Sequence, residues 1–335
     1  MRGMKRTLKA IATTAAIMIT SLSAVFAQDT TTAPPTTGLQ QSATTLVSPY
    51  LLPEVFDRTS AAFQSGDYTA TILNASLDLL FNPTHDRAYL LRGLGYLNTN
   101  ETDRARADID AAIAVTAPDD TVFLGQLYSL RGQMKADQGD VEAALADYTT
   151  AIEINPSADA YFSRAQLSMS EQHPQDALDD LNRAIELTST DGVYYLLRAY
   201  ANADLNHVSE SAADYADYLR LVEQTRTDAD AIQPGTPIFV DVAYGTTTAV
   251  PFDGQAGQVL TALVIGRQGE QTDPILVLLD PSGTPLIGDD NGSGGTAPLI
   301  LDYVLPDSGT YTLLIGSTPV QATGQAAAGI ELLGP

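Results

Sequence analysis

The rhythm of apolar and polar positions along this chain changes once. From about Leu52 to Gln224 the period is helical, and it recurs. In "GDVEAALADYTTAIEINP", Gly139 to Pro156, a Gly-Asp pair opens a helix and Asn155-Pro156 closes it. Pro156 stops the helix because it has no amide hydrogen and clashes with the preceding turn. Ala144 and Ala151 share one face, with Leu145, Tyr148 and Ile152 around them, and an upstream helix carries Tyr128 and Gly132. Two helices approach closely only where the facing side chains are small, so the pattern predicts an antiparallel helical hairpin. After Gln224 the helical period disappears. Short β-rich runs follow: Ile238 to Ala243, Thr246 to Phe252, Gln258 to Gly266, Ile275 to Asp280, Pro298 to Leu305, Thr310 to Gly316 and Ala327 to Leu333. Tyr311, Leu313 and Ile315 alternate with Thr310, Thr312 and Leu314, as in a half-buried strand. The polar run Thr225 to Pro237 ends in turn residues and reads as a linker.

The hairpin repeats on a 34-residue frame. Counted from Gly125, Gly132 is position 8, Ala144 is 20, Ala151 is 27 and Pro156 is 32. The frame recurs from Asp86 (Tyr89, Gly93, Ala105, Ala112), from Ala158 (Ala165, Ala177, Leu181, Ala184) and from Gly192 (Tyr195, Ala199, Tyr215). This last unit places Ser211 and Tyr218 where alanine is expected. The unit from Leu52 keeps Gly66-Asp67 and Asn82-Pro83 but carries Thr71 and Asp78 at those sites. Asp120 to Leu124 reads as an insertion between the second and third units. These positions resemble the tetratricopeptide repeat, and the resemblance implies an α-solenoid of helical hairpins over residues 46–226. Its units lie near 52–85, 86–119, 125–157, 158–191 and 192–225. Degenerate outer units suit caps that meet a neighbour on one side only.

Arginine stands at position 7 of every unit: Arg58, Arg92, Arg131, Arg164 and Arg198. At position 23 come Asn74, Asp108, Asp147, Asp180 and Asp214. The expected structure is a ladder of Arg–Asp pairs between first and second helices, within a repeat or between neighbours. The planar guanidinium explains arginine rather than lysine. The alternative is a row of arginines that grips an acidic ligand.

The family resemblance places ligand contacts on the first helix, at positions 2, 5, 9, 12 and 13. Positions 5, 9 and 13 here give Leu90, Leu94 and Asn98; Ser129, Gln133 and Asp137; Phe162, Gln166 and Ser170; and Leu196, Tyr200 and Asp204. The candidate partner groove is therefore Leu90, Leu94, Asn98, Gln133, Asp137, Phe162, Gln166, Leu196, Tyr200 and Asp204. It lacks the basic residues with which some relatives clamp a C-terminal carboxylate. A mixed apolar and acidic trough suits an extended protein or peptide segment with apolar and basic side chains. The same Leu and Tyr residues would also serve to pack against the C-terminal domain or a second copy.

"VPFDGQAGQ" (Val250 to Gln258), "DPILVLLDPSGTPLIGDDN" (Asp273 to Asn291) and "LPDSGTYTLLIG" (Leu305 to Gly316) resemble the bacterial pre-peptidase C-terminal domain. That resemblance implies a small, non-catalytic antiparallel β-sandwich over residues 237–335, after a linker at 227–236. An alternative function follows: an envelope- or polysaccharide-binding protein in which the sandwich binds and the repeats are a spacer.

Charge narrows the partner class. The 335 residues hold 41 Asp+Glu against 17 Lys+Arg, a formal net charge of −24. Such a chain repels nucleic acid and anionic membranes. The excess serves solubility, or else a basic partner or bound cations. The 0 cysteines exclude disulfides and thiolate chemistry. Arg2, Lys5, Arg6 and Lys9 precede a mostly apolar stretch, Ala10 to Val25, and Val25-Phe26-Ala27 places a small residue before a cut. That is the layout of a secretory signal peptide over residues 1–27, with a retained anchor as the alternative. Residues 28–45 are rich in Thr, Pro and Gln and read as a flexible tether. The expected location is secreted, periplasmic or envelope, with no membrane span in the mature chain.

No G-x-S-x-G, H-E-x-x-H or phosphate loop is present. His173 and His207 fall at position 16 between helices, and His85 in a connection between units, so all three read as surface residues. Asp289-Asp290-Asn291-Gly292 offers hard oxygens to calcium but lacks the EF-hand spacing, and reads as a solvated acidic turn. The expectation is a non-enzymatic protein without cofactor or metal, whose oligomeric state and partner the sequence does not name.

Overall fold

The structure, a computed structural model, describes residues 51–267, 272–290, 297–319 and 323–334. The signal-peptide and tether readings lie outside them. Ten helices in this set form five hairpins, followed by nine strands in two sheets. The first helices of the hairpins are α1 Leu51–Gln64, α3 Asp86–Asn98, α5 Thr121–Asp137, α7 Ala158–Ser170 and α9 Gly192–Asp204. The second helices are α2 Tyr68–Phe81, α4 Thr102–Val115, α6 Val141–Ile154, α8 Pro174–Leu187 and α10 Val208–Val222. The chain divides into two compact units, with the boundary between Arg164 and Ala165.

In the N-terminal unit each hairpin turns on one left-handed residue: Gly66 (φ 78°), Asn100 (φ 62°) and Gly139 (φ 81°). Only glycine, and next asparagine, adopts that conformation cheaply. The following amide then reaches back to the first helix, Asp67 N to Ala62 O at 2.9 Å, Glu101 N to Tyr96 O at 2.8 Å and Asp140 N to Lys135 O at 2.9 Å. This satisfies carbonyls that the helix end leaves open. Asp67 and Asp140 also cap the second helices, accepting from Ala70 N and Ala143 N.

The small residues sit where the helices meet. A Cβ on Gly132 would lie 3.0 Å from the Tyr148 ring and 3.3 Å from Ala144 O. On Gly93 it would lie 3.1 Å from Ile109 Cδ1 and 3.3 Å from Ala105 O. Ala105, Ala112, Ala144 and Ala151 are fully buried. The expected insertion is not a loop: Asp120 caps α5 through Phe123 N, and Thr121 to Leu124 add its first turn, giving 17 residues against 13 in α3. Two departures from the alanine pattern have partners of their own. Thr71 Oγ1 donates to Asp67 O at 2.8 Å, and buried Asp78 lies 2.5 Å from His85 Nδ1. His85 also packs against the Phe56 ring, at 4.6 Å between centroids. It is thus half-buried, not a surface residue, because Asp78 draws it inward.

The C-terminal unit continues through α8, α9 and α10 into β1 Thr225–Asp228, β2 Ile238–Val242, β3 Thr246–Gly254, β4 Val259–Gly266, β5 Pro274–Leu279, β6 Pro285–Asp289, β7 Leu299–Val304, β8 Gly309–Ser317 and β9 Gly324–Leu333. One sheet runs β1-β3-β8-β5-β6 and the other β2-β9-β4-β7. Val250, Phe252, Leu276, Leu278, Leu313 and Ile315 of the first meet Val240, Leu260, Val264, Ile300, Ala328 and Ile330 of the second in one core. Two features depart from expectation. β1 pairs parallel with β3, so the sandwich is not wholly antiparallel. The stretch read as a linker is bound into the domain by β1, by Ile232 N to Pro251 O at 2.9 Å, and by burial of Ile232 in the core. β6 was not expected either: Pro285 and Gly288 obscure a strand pattern.

The close helix approach gives a test. Gly132→Ala raises helix propensity by up to about 1 kcal/mol, yet it drives a methyl into the Tyr148 ring. Such overpacking costs about 1–3 kcal/mol, so a net loss of stability is expected. Urea unfolding of the variant checks it, and an unchanged or higher midpoint would show that the contact relaxes freely.

Candidate functional site

The position-7 arginines sit on the first helices, next to the small residue at position 8, and Arg92, Arg131 and Arg198 each reach two neighbouring helices. Arg92 Nε and Nη2 donate to the Asp108 carboxylate at 2.8 and 2.7 Å, and Arg131 does the same to Asp147 at 2.8 and 2.7 Å. In the C-terminal unit Arg198 Nη2 and Nε donate to Asp214 at 2.6 and 3.0 Å. The remaining Nη1 turns to position 25 of the preceding repeat: Arg92 to Ser76 at 3.4 Å, Arg131 to Asp110 at 2.8 Å, Arg164 to Thr149 at 3.0 Å and Arg198 to Asn182 at 2.9 Å. Each of these arginines thus joins the second helix of one repeat to the next. Tyr89, Tyr128 and Tyr195 lie against three of the guanidiniums, at 5.6, 5.0 and 5.4 Å from ring centroid to Cζ. The first unit breaks the series: Arg58 is exposed and meets only Glu54 at 3.5 Å, not Asn74. Asp180 is buried.

Position 11 tunes the ladder. Burial alone would raise Asp147's carboxyl, but hydrogen bonds from Arg131 and from Lys135 at 2.7 Å hold it below the usual carboxylate range. Asp214 has Asn202 Nδ2 at 2.9 Å in place of a lysine. There burial outweighs Arg198, and the carboxyl is raised.

The groove residues separate into two sets. Leu90, Leu94, Phe162, Leu196 and Tyr200 are buried, so these expected partner contacts have almost no free surface. Packing has taken them. In the N-terminal unit the polar members remain accessible. Asn98 and Asp137 are exposed and Gln133 is half-buried. Asn98 Nδ2 donates to Leu94 O at 2.9 Å, and Gln133 bridges Tyr148 OH at 3.2 Å and Asp137 at 2.9 Å. In the C-terminal unit Asp204 is exposed and Gln166 half-buried, with its Nε2 buried and unpaired.

Position 2 was not read from the sequence and carries two further residues. Arg87 donates to Asp86 at 3.0 Å and Asp120 at 2.9 Å and lies over the Phe123 ring, yet its Nε is buried without a partner. Gln126 Oε1 is likewise buried and unpaired. The repeat frame was the signal that could have singled them out.

Tyr200 is occupied by the C-terminal domain. α10 lies on β5, β6 and β8, where a side chain on Gly288 or Gly316 would strike Tyr215 or Leu219. Tyr215 OH donates to Asp290 at 3.2 Å and Tyr218 OH to Ser317 O at 2.9 Å. Tyr200 OH is buried beside the same carboxyl without an aligned partner. Asp290 is only 6% exposed, so it is no solvated turn. Burial first, and then neighbouring Asp289 and Asp273, push its carboxyl up to about 7. Asp289 accepts from Leu299 N at 2.7 Å; Asn291 and Gly292 lie outside the described residues. Among the described residues no three His, Asp or Glu side chains gather to hold a metal, and no helix is long and apolar enough to cross a membrane.

Residues 125–157 match the tetratricopeptide repeat family. Over 124 residues the chain is 34% identical to "Tetratricopeptide repeat protein 36 homolog" of Nematostella vectensis, which covers 35% of this chain and 59% of that protein. The chain thus spans less than two thirds of that relative. Among solved structures, "Crystal structure of MamA protein" shares 18% identity at a TM-score of 0.44, over 51% of this chain and 91% of its own. "MamA 41-end from Desulfovibrio magneticus RS-1" shares 12% at 0.45, over 51% and 94%. "First TPR of Spaghetti (RPAP3) bound to HSP90 peptide SRMEEVD" shares 23% at 0.29, over 29% and 78%. Residues 125–157 are thus a hairpin of the tetratricopeptide type, and the other four hairpins follow the same sequence frame.

Two outcomes test the charge arrangement. Arg198→Met, which strands buried Asp214, is expected to cost about 2–3 kcal/mol. Adding Asp214→Asn should recover much of it, and additive losses would mean the pair is not coupled. Asp290 supplies a pH signature. Its folded pKa, about 7, stands above the unfolded 3.8. Its contribution is therefore fully present below about pH 4 and is lost as pH rises through 7. Asp290→Asn should flatten the fall in urea midpoint between pH 5 and 8 and be the more stable protein at pH 8. Equal pH slopes in both proteins would refute this.

Proposed function

We propose that this chain is a secreted, non-enzymatic scaffold whose repeats hold an extended segment of a partner protein along their first helices. A C-terminal domain of the pre-peptidase type is joined to the last repeat. The observation that carries the reading is the pair of unsatisfied groups at position 2, Arg87 Nε and Gln126 Oε1. A buried polar group without a partner costs about 1–3 kcal/mol; both side chains are only half-buried, and by turning outward they would reach the carbonyl acceptor and amide donor of an extended peptide. Exposed Asp137 and Asn98 on the same unit's first helices, with the net charge of −24, favour a partner with basic side chains. The basic and then apolar N-terminal stretch supports a destination outside the cytoplasm.

Gln126→Leu separates binding from folding. It removes the unpaired carbonyl, so the full chain should unfold at the same or a higher urea concentration. Its affinity for the best basic, apolar peptide on an array should fall at least about tenfold. Equal affinity in both proteins, or no preference for basic over acidic peptides in the parent, sinks the proposal.

A further inference from the structure

The helix α2 is unlike the second helices that follow it. Its one charged residue, Asp78, is buried, and Leu73, Leu77 and Leu80 are 68%, 44% and 72% exposed. They fall four and three residues apart, so they form one stripe along the helix. At about 100° per residue the stripe lies opposite buried Ala75 and Asp78. The three leucines hold positions 22, 26 and 29 of the repeat frame. The same positions read Ala107, Ala111 and Ala114 in α4, and Asp179, Arg183 and Glu186 in α8. A leucine row there is particular to the first hairpin, in a chain of net charge −24.

The chain enters at one end of this stripe. Phe56, in the second turn of α1, packs on His85, and His85 meets Asp78 near the end of α2. The two helices run antiparallel, so the start of α1 lies beside Leu80. The residues leading into α1 lie outside the described residues, but their sequence is informative. Thr30 to Tyr50 hold no charge, and their large apolar members are Leu39, Leu46, Val47 and Tyr50.

The geometry points to the α2 stripe as the docking site of this chain's own segment Leu39 to Tyr50. Reach, size and charge select that occupant. The segment can span up to about 40 Å, whereas the stripe from Leu80 to Leu73 is about 10 Å long. The outer face of α2, about 21 Å by about 10 Å, offers roughly 200 Å². Two separate proteins need about 800 Å² each for a stable contact, so neither a second copy nor a free partner is held by so small a face. A tethered segment needs far less, because a short linker raises its effective concentration to the millimolar range. The segment is uncharged, as the stripe is, so docking buries no unpaired charge. It covers the outer side of the first repeat and leaves the first helices open, so it stands apart from the partner reading above.

The chain has 0 cysteines, so one introduced pair reports one contact. Mild oxidation of full-length Val47→Cys/Leu77→Cys should form a disulfide within one molecule. Val47→Cys/Glu153→Cys, whose second site is position 29 of the third repeat, should not. Thermolysin, which cuts before leucine and valine, gives a second reading. Leu73→Asp/Leu77→Asp should be cut at Leu46 and Val47 about tenfold faster than the parent, because cleavage follows the undocked population. Both leucines are exposed, so the repeats should stay folded, and the cysteine pair keeps the test open if they do not. Equal linking to residues 77 and 153, or equal cleavage of variant and parent, overturns the inference. So do disulfides between two molecules in place of one, because a second copy would then cover the stripe.

Discussion

Everything in the helical part rests on how near two helices come at their small residues. With Gly132 under the Tyr148 ring and Ala144 and Ala151 fully buried, the backbones approach so closely that a Cβ on Gly132 would press on that ring. That distance fixes where position 7 of the first helix stands relative to position 23 of the second. A bidentate Arg–Asp pair needs such precision, because both of its hydrogen bonds are short and coplanar. The arginine's third nitrogen then faces the preceding repeat. Spacing within a hairpin thereby becomes registration between hairpins. Once desolvation is counted such pairs add little net stability, and we infer that their contribution here is to fix helix register.

The same logic explains why departures from the repeat are informative. Ser211, at an alanine position, is buried and donates to Ala199 O at 3.0 Å. Tyr218, at another, reaches the sandwich through Ser317. Asp78 occupies the equivalent site in the first repeat and holds His85. Each polar or bulky intruder is paid for by a specific partner. For Tyr218 that partner lies outside the helices, which is how the repeat array ends against a different domain.

Much of this was legible in the sequence because the signals are periodic. The hairpins, the Arg–Asp spacing and most of the strands follow from positions that recur. What was not legible is pairwise. Leu196 and Tyr200 show apolar character on a first helix, but no local rule says whether a ligand or a neighbouring element covers them. Asp290 reads as a turn residue beside Asp289, and only its place beneath Tyr215 makes it a buried acid. β1 failed to announce itself because four exposed polar residues carry no alternation, and its pairing depends on β3, some twenty residues on.

Burial of the apolar groove positions also constrains how a partner can be held. With Leu90, Leu94 and Phe162 already packed, little apolar surface remains on the first helices to drive association. Affinity must then come from polar and charged contacts, which are worth most where water is excluded and the partner's groups are pre-aligned. In the proposed reading the unpaired groups of Arg87 and Gln126 supply such contacts, and exposed Asp137 would add mainly to the rate and sign of encounter. In the proposed reading an extended backbone is held by its regular donors and acceptors, and the exposed acids select basic side chains beside it. On that proposal specificity would reside in which segment is sterically able to lie along the helices, more than in a deep pocket for any one residue.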